Sequence, residues 1–363
     1  MRPEVRKDHG ADTGVFDRRD ELRQAHHEQV VFCHDRETDL RAIIGLHDRT
    51  RGPALGGTRF FPYRTEAEAL TDVLRLSQGM THKAAAADLP LGGGKAVIIG
   101  DPARIKAPQL LEAYGRFIES LGGRYITAAD VGTTSDDLDV IGRTTSYVVG
   151  RNAAAGGSGD SGPSTALGVF TALRTAAVRL WGDDALTGQV VGVEGAGKVG
   201  LHLVGLLLEA GAAVRVSDPH PAARTRVRDL YPSVRLVDSA RERVDIYAPC
   251  ALGGTLDQHG IASLDARLVC GAANNQLATA ADSQRLADRE ITWIPDYVAN
   301  AGGLVQVGGE ALGHDPAEVR AGIERIGDTV RELLDRSEAG GTTPATAAAE
   351  IVADRLRLNP TTQ

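Results

Sequence analysis

Cysteine is scarce in this chain, and long apolar runs are missing. The three cysteines, Cys33, Cys250 and Cys270, are scattered. They are too few and too far apart for a disulfide framework or a zinc site. Cys250 and Cys270 lie in apolar, strand-like runs and read as buried filler, which fits a reducing cytoplasm. No window approaches 18 uninterrupted apolar residues, so no membrane span is expected. An excess of positive charge is missing too. Forty Lys and Arg against 48 Asp and Glu leave a net charge of -8, which opposes generic binding to nucleic acid or anionic membrane. The ten histidines show no metal-ligand spacing, so no metal is expected. The opening "MRPEVRKDHGADTG" has no apolar signal core and reads as a polar tail.

What is present is ordinary soluble composition, 42% hydrophobic and 24% charged over 363 residues. That length favours two domains. "QVVFCHDRETDLRAIIGLHD" reads as two strands around a polar turn. A helix should begin at "TEAE", with Thr65 as N-cap, Glu68 completing a capping box, and Leu70, Val73 and Leu74 on one face. "APQLLEAYGRFIESLGG" reads as a second amphipathic helix, "RYITAAD" as a strand ending at Asp130, and "TSDDLDVIG" as a short helix with an acidic first turn. "NAAAGGSGDSGP" (152–163) is the sharpest shift in composition and marks an inter-domain hinge. From residue 189 strands alternate with helices, the pattern of a parallel sheet covered on both faces. "PAEVRAGIERIGDTVRELLDRS" reads as one long helix, and Thr343 with Pro344 starts a last one.

Two glycine motifs need separating. "LPLGGGKAVIIG" sets Lys95 directly after three glycines, which suggests phosphate. A P-loop needs a fifth-position glycine and a hydroxyl after the lysine. Here those positions hold Leu89 and Ala96, and a strand rather than a helix follows. The phosphate-loop reading therefore fails.

"VVGVEGAGKVG" is different. Gly195, Gly197 and Gly200 have G-x-G-x-x-G spacing, with a strand before them and an apolar helix after. Asp218 ends the next strand, 23 residues beyond Gly195. Gly195 permits a tight turn. Gly197 lets the backbone approach a pyrophosphate, together with the neighbouring Lys198 and Val199. Gly200 lets the helix pack closely, and the helix N-terminus faces the anion. Asp218 can accept from ribose hydroxyls and repels a 2′-phosphate, which favours NAD over NADP, although His220 and Arg224 lie nearby.

Lys83 lies twelve residues before Lys95, and Asp130 follows downstream. Two lysines and a carboxylate make neither a nucleophilic triad nor a metal site. They suit an anionic substrate bearing an amine: one lysine pairs with a carboxylate, the other handles a proton, and the aspartate shuttles protons at nitrogen. The glycines beside Lys95 are expected to make room for that substrate.

The stretches "GPALGGTRF", "GMTHKAAAADLPLGGGKAVI", "TAADVGT", "GSGDSGPSTALGV", "GVEGAGKVG", "APCALGG", "GAANNQL" and "PDYVANAGG" resemble, in the same order, the leucine/valine dehydrogenases of the glutamate/leucine/phenylalanine/valine dehydrogenase superfamily. The likeness covers roughly residues 29–335. It implies an α/β fold of two domains. Residues 1–150 would form a substrate-binding and oligomerisation domain, and residues 151–329 a Rossmann-type, doubly wound NAD-binding domain. Helices in 330–363 would pack back on the first, with the active site in the cleft between the two. The activity implied is reversible, NAD-dependent oxidative deamination of valine, leucine, isoleucine or 2-aminobutyrate by a homo-oligomer, dimer or octamer. Alternatives are a relative acting on phenylalanine or another unusual amino acid, and a non-catalytic homologue.

By that resemblance Lys95 activates water, Asp130 exchanges protons with the amino group, and Lys83 binds the α-carboxylate. Thr165 and Asn275 hold the nicotinamide carboxamide, with Ala248 of "APCALGG" also at the cofactor. Asn300 lies near substrate and nicotinamide. Leu55, Gly56, Met80, Ala128, Leu304 and Val307 line an aliphatic side-chain pocket. Leu55 and Val307 stand where glutamate-specific relatives carry a lysine and a serine, so a distal carboxylate would be buried unpaired and glutamate rejected. His82, Ala84 and Leu167 depart from the residues frequent at their positions.

Overall fold

The structure, a computed structural model, describes residues 26–357. The stretch read as a polar tail lies outside them. The chain forms two compact units. One holds the described residues through Arg49, Pro53–Thr81 and Gly93–Tyr147. The other holds Thr50–Gly52, His82–Gly92 and the chain from Val148 onward.

The first unit is built on five strands: β1 (Gln29–Asp35), β2 (Leu40–Asp48), β3 (Ala54–Phe61), β4 (Gly92–Ile99) and β5 (Tyr125–Ala129). Their order is β1-β2-β4-β3-β5. β1 and β2 are the antiparallel pair expected around "DRET". Asp35 closes that turn by accepting from the Thr38 amide and hydroxyl at 3.0 and 2.7 Å, and Asp39 takes a left-handed φ of 54°.

Helix Glu66–Ala86 covers one face of this sheet. Ala69, Leu70, Val73 and Leu74 bury against Ile43, Val97 and Ile99, each large side chain contributing about 1.5–3 kcal/mol. Its start differs in detail from the expected capping box. Thr65 accepts from the Glu68 amide, but the Glu68 carboxylate reaches the Arg64 amide rather than that of Thr65. Helices Pro108–Ser120 and Ser135–Ile141 follow where expected, the latter with a full capping box between Thr134 and Asp137.

The second unit has six strands, all paired in parallel: β6 (Val190–Glu194), β7 (Ala213–Ser217), β8 (Arg235–Leu236), β9 (Ile246–Pro249), β10 (Leu268–Val269) and β11 (Thr292–Trp293). Their order is β11-β10-β9-β6-β7-β8. The chain runs outward from β6 to β8, then returns to β9 on the other side of β6. In such doubly wound sheets ligands bind where that reversal occurs, beyond the strand C-termini.

Two expectations change. The long C-terminal helix is two, Pro316–Glu324 and Ile326–Gly340, parted at Arg325. Gly322 and Gly327 flank the break. Added Cβ atoms there would come within 2.8 Å of Val305 and 2.9 Å of Thr175, so close packing imposes two poor helix formers on one stretch. The closing helices meet the end of helix Glu66–Ala86. Arg355 donates to Ala86 O at 2.6 Å and Thr329 Oγ1 to the same carbonyl at 3.1 Å. A cation thus satisfies carbonyls that a helix end leaves unpaired. That end, with residues 82–92, clusters with the second unit.

Candidate active site

Strand pairing puts the first unit's site residues on one sheet face. Leu55, Gly57 and Arg59 alternate onto the same side of β3, and Ala128 lies opposite Gly57. Lys95 lies opposite Gly45, whose missing Cβ faces Ser77 on helix Glu66–Ala86. The covering helix also carries Met80, whose Cγ would lie 3.3 Å from a Cβ added at Gly56.

Lys95 Nζ lies 2.5 Å from Asp130 Oδ2. Asp130 follows β5 directly, and its backbone is fixed by Thr133, whose hydroxyl accepts from the Asp130 amide and donates to Thr58 O. Burial pushes the Asp130 carboxyl up, but the Lys95 ammonium and the Arg59 guanidinium outweigh it and hold the pKa at about 2. Asp130 is therefore a carboxylate at neutral pH.

The glycines beside Lys95 do not serve as expected. A Cβ on Gly93 would sit 2.1 Å from the Thr81 amide nitrogen, and one on Gly94 2.8 Å from the Tyr125 ring. Protein atoms fill both places. These glycines seat a helix and an aromatic ring against β4 and leave no room for substrate there.

In the second unit one carboxamide links two expected residues. Asn274 Oδ1 accepts from Lys83 Nζ at 3.1 Å and from Asn300 Nδ2 at 2.8 Å. Asn300 Nδ2 also donates to Ala272 O, which fixes its orientation. Asn300 Oδ1 is buried with no hydrogen-bond partner among the described residues. Asn275 adopts φ 53°, and its amide donates to Asp296. Burial raises the Asp296 pKa, against the pull of that amide and of Lys83. Buried Gln276 ties the loop together through Gly271 O, Ala273 O and the Trp293 indole. Leu304 and Val307 lie one turn apart on helix Gly302–Leu312 and are buried. Thr165 Oγ1 would lie 2.4 Å from a Cβ at Gly303. A cavity of about 640 Å³ elsewhere in this unit, lined by Phe170, Arg174 and Leu334 among others, includes Leu167 but none of the expected site residues.

In the glycine turn the three glycines meet different surroundings. Gly195 has φ 97°, and a Cβ on Gly200 would sit 2.0 Å from Gly195 O. Gly197 has open space around its missing Cβ, and no side chain caps the helix it starts. Open backbone at an uncapped helix N-terminus fits a pyrophosphate. Asp218 accepts from the Ala196 amide and the His220 amide, both at 2.8 Å, and so ties the turn to the end of β7. Arg224 is engaged by Val237 O. Lys198 is exposed and lies 3.6 Å from Asp160, and Val199 is partly buried. Ala248 departs from its expected place. It is fully buried inside β9, opposite Val193, because a mid-strand alanine faces the sheet's packing. Ala251, past the strand end, is what meets the Gly195 turn.

Residues 27–147 match the Glu/Leu/Phe/Val dehydrogenase dimerisation domain, and residues 222–355 match the Glutamate/Leucine/Phenylalanine/Valine dehydrogenase domain. The chain belongs to the glutamate/leucine/phenylalanine/valine dehydrogenase family. It is an amino acid dehydrogenase, and enzymes of this family use NAD. A valine dehydrogenase of Streptomyces virginiae is 50% identical over 351 residues, covering 95% of this chain and 98% of that protein. A phenylalanine dehydrogenase of Caldalkalibacillus thermarum is 44% identical, over 91% of each chain. The crystal structure of L-tryptophan dehydrogenase from Nostoc punctiforme superposes with a TM-score of 0.82 at 42% identity, covering 95% of this chain and 99% of that one. The two-domain α/β fold expected for the family is thereby established.

Sequence reasoning missed Asn274 and Arg59. The pair "NN" within "GAANNQL" was a signal for the first, since two adjacent carboxamides in a glycine-bounded loop have separate jobs. The arginine of "GGTRF" was a signal for the second, because alternation puts it on the Leu55 face of β3.

Proposed function

We propose that this enzyme catalyses the reversible, NAD-dependent oxidative deamination of small aliphatic L-amino acids, preferring valine, 2-aminobutyrate and isoleucine. The observation that carries the reading is the ion pair between buried Lys95 and partly buried Asp130 on the sheet face that also holds Leu55 and Ala128. Proton-handling groups there adjoin the apolar side chains of Leu55 and Ala128, and the cation on that face, Arg59, is engaged by Asp72 and Asp130. The 50% identity to a valine dehydrogenase supports the aliphatic class.

In this reading Lys83 takes the α-carboxylate and Gly56 and Met80 flank it. NAD, which the turn Gly195–Gly200 with Asp218 would hold, would supply the hydride acceptor for Cα. Asp130 accepts a proton from the substrate amine and returns it to the departing ammonia. Lys95 orients and activates the water that adds to the imine carbon. Asn300 Oδ1 offers an acceptor to an N–H of the nicotinamide carboxamide or the substrate, with Thr165 and Asn275 also at the carboxamide. Leu55 and Ala128 of the first unit, and Leu304 and Val307 of the second, are the residues assigned to the substrate side chain. By the family resemblance Leu304 takes the place of a valine and leaves less room for the substrate side chain, and one methylene changes discrimination by roughly 1–3 kcal/mol.

The first unit is assigned the oligomer contacts together with Lys95 and Asp130, the second the cofactor together with Lys83, Leu304 and Val307. The enzyme is a homo-oligomer, dimer or octamer, of the cytoplasm. Edge strand β1 carries Phe32 with half its surface exposed, and residues 27–147 match a dimerisation domain.

The test is NADH consumption with ammonium and a panel of 2-oxo acids, repeated with NADPH. Turnover of 2-oxoisovalerate with NADH is expected, and rejection of 2-oxoglutarate. Efficient use of 2-oxoglutarate would overturn the pocket assignment.

A further inference from the structure

Asp130 is held from two sides. Lys95 Nζ approaches Oδ2 at 2.5 Å, and Arg59 Nε approaches the same oxygen at 3.5 Å, an ion-pair contact rather than a hydrogen bond. Arg59 is itself anchored at its other end. Its Nη1 donates to Asp72 Oδ2 at 3.0 Å, and the Tyr63 hydroxyl donates to the same carboxylate oxygen at 2.5 Å. Asp72 sits on helix Glu66–Ala86 and Arg59 on β3. A chain of contacts, Tyr63–Asp72–Arg59–Asp130–Lys95, thus runs between the covering helix and the candidate proton-transfer pair.

We propose that Arg59 is a positioning residue for the reaction, its guanidinium clamped by Asp72 so that it holds Asp130 beside Lys95. The inference rests on the reading of Asp130 as the proton carrier.

A partly buried ion-pair series of this kind is weak evidence for stability, because ion pairs that water still reaches contribute little and apolar residues often do as well. Its distinctive effect is directional. A carboxylate paired with a single lysine follows that lysine, which has a flexible stem. The arginine fork is planar and stiff; here one nitrogen is hydrogen-bonded to Asp72 on the helix and another lies in ion-pair contact with Asp130. Asp130 Oδ2 is therefore fixed relative to β3 as well as to β4. A proton carrier must keep its oxygen within hydrogen-bond reach of the reacting nitrogen, and small displacements are costly in rate. Arg59 also shares the carboxylate charge, so Lys95 does not hold Asp130 alone. Apart from Lys95 and Arg59, the groups facing Asp130 are Thr133, the Val131 amide and the more distant Tyr125.

The experiment compares full-length wild type with Arg59→Met, Arg59→Lys, Asp72→Asn and Asp130→Asn. It measures kcat, KM for valine and for NAD, the isotope effects of Cα-deuterated valine and of D2O, and thermal unfolding. Arg59→Met should lower kcat by about ten- to hundredfold, within what a positioned acid–base group contributes. Both KM values should move less than about threefold. The solvent isotope effect should rise and the Cα-deuterium effect shrink, because proton transfer becomes slower than hydride transfer. Arg59→Lys should recover part of the loss. Asp72→Asn should give a smaller change of the same kind, and it decides the matter if Arg59→Met does not fold. Folded variants with kcat within twofold of wild type would overturn the inference, as would a loss carried by KM with isotope effects unmoved. An active Asp130→Asn would remove the proton-carrier reading itself. An inactive Asp130→Asn beside a normal Arg59→Met would remove only the role of Arg59.

Discussion

Lys95 and Asp130 form an asymmetric pair: the aspartate has a second cation in Arg59, while the only carboxylate found within ion-pair distance of the lysine among the described residues is Asp130. A charge buried without a partner costs several kcal/mol, more than the pair itself contributes. The two deletions therefore differ. Asp130→Asn leaves Lys95, 7% exposed, without its counter-charge. Lys95→Met leaves Asp130 with Arg59.

Urea unfolding should show Asp130→Asn destabilised by roughly 3–5 kcal/mol and Lys95→Met by clearly less. Both should lose turnover. Lys95→Ala should still quench NADH fluorescence on binding, because the dinucleotide turn lies in the other unit. Equal destabilisation by the two substitutions would contradict the assigned role of Arg59 as second partner.

Asp218 sets up a second expectation. Both its oxygens accept backbone amides, one from Ala196 in the glycine turn and one from His220. Asparagine would turn an NH2 toward one of those N–H groups, and the turn would loosen. Asp218→Asn should weaken NADH binding by about tenfold, the scale of one lost charged hydrogen bond. Its preference over NADPH should fall as well, since the repelling charge is gone. Titration of both dinucleotides by calorimetry checks this, and unchanged NADH affinity would separate Asp218 from the cofactor.

The parallel sheet of the second unit was legible because each strand carries its own apolar run between turn residues. The glycine turn was legible for the same reason, since strand, spacing and acidic end lie within one short stretch. Lys95 and Asp130 were legible as types, but their pairing depends on β4 and β5 flanking β3, an order that local pattern does not encode. Gly93 and Gly94 misled because a glycine beside a lysine looks the same whether a ligand or a tyrosine ring occupies the space. Arg59 and Asn274 were missed because their partners lie far away in sequence: Asp130 for the one, Lys83 for the other. The split at Arg325 was hidden by an apolar period that continues unbroken through it.

His27 should make the fold sensitive to mild acid. Its Nε2 lies 2.7 Å from Ser77 Oγ, and its ring stands edge-on to His47 at 4.9 Å. Burial lowers its pKa to about 4, with the nearby His47 adding to the effect and the Leu74 backbone opposing it. The folded pKa is below the unfolded value of 6.5, so the unfolded chain binds this proton first. The contribution is complete above about pH 6.5 and is lost as pH falls toward 4. After screening by the water that still reaches the ring, it amounts to roughly 1–3 kcal/mol. Denaturant midpoints measured from pH 7 to pH 4 should fall less steeply in His27→Gln than in wild type. Parallel curves would place the acid sensitivity elsewhere.

One substitution made at two glycines separates packing from binding. At Gly93 an alanine Cβ would meet the Thr81 amide nitrogen at 2.1 Å and its hydroxyl at 2.2 Å. Backbone cannot swing aside as a side-chain tip can, so helix Glu66–Ala86 would have to move off β4. Overpacking of this kind costs about 1–3 kcal/mol or more. At Gly197 the same methyl meets nothing within 4 Å, and φ of −71° suits any residue. Gly93→Ala should therefore unfold at lower denaturant. It should also lose kcat through displacement of Lys95, two residues along, while its NADH affinity stays near normal. Gly197→Ala should unfold like wild type and bind NADH weakly, because the methyl occupies the space through which the pyrophosphate reaches the helix amides. If Gly197→Ala bound NADH normally, the open backbone there would not be the pyrophosphate seat, and the dinucleotide assignment would need a different turn.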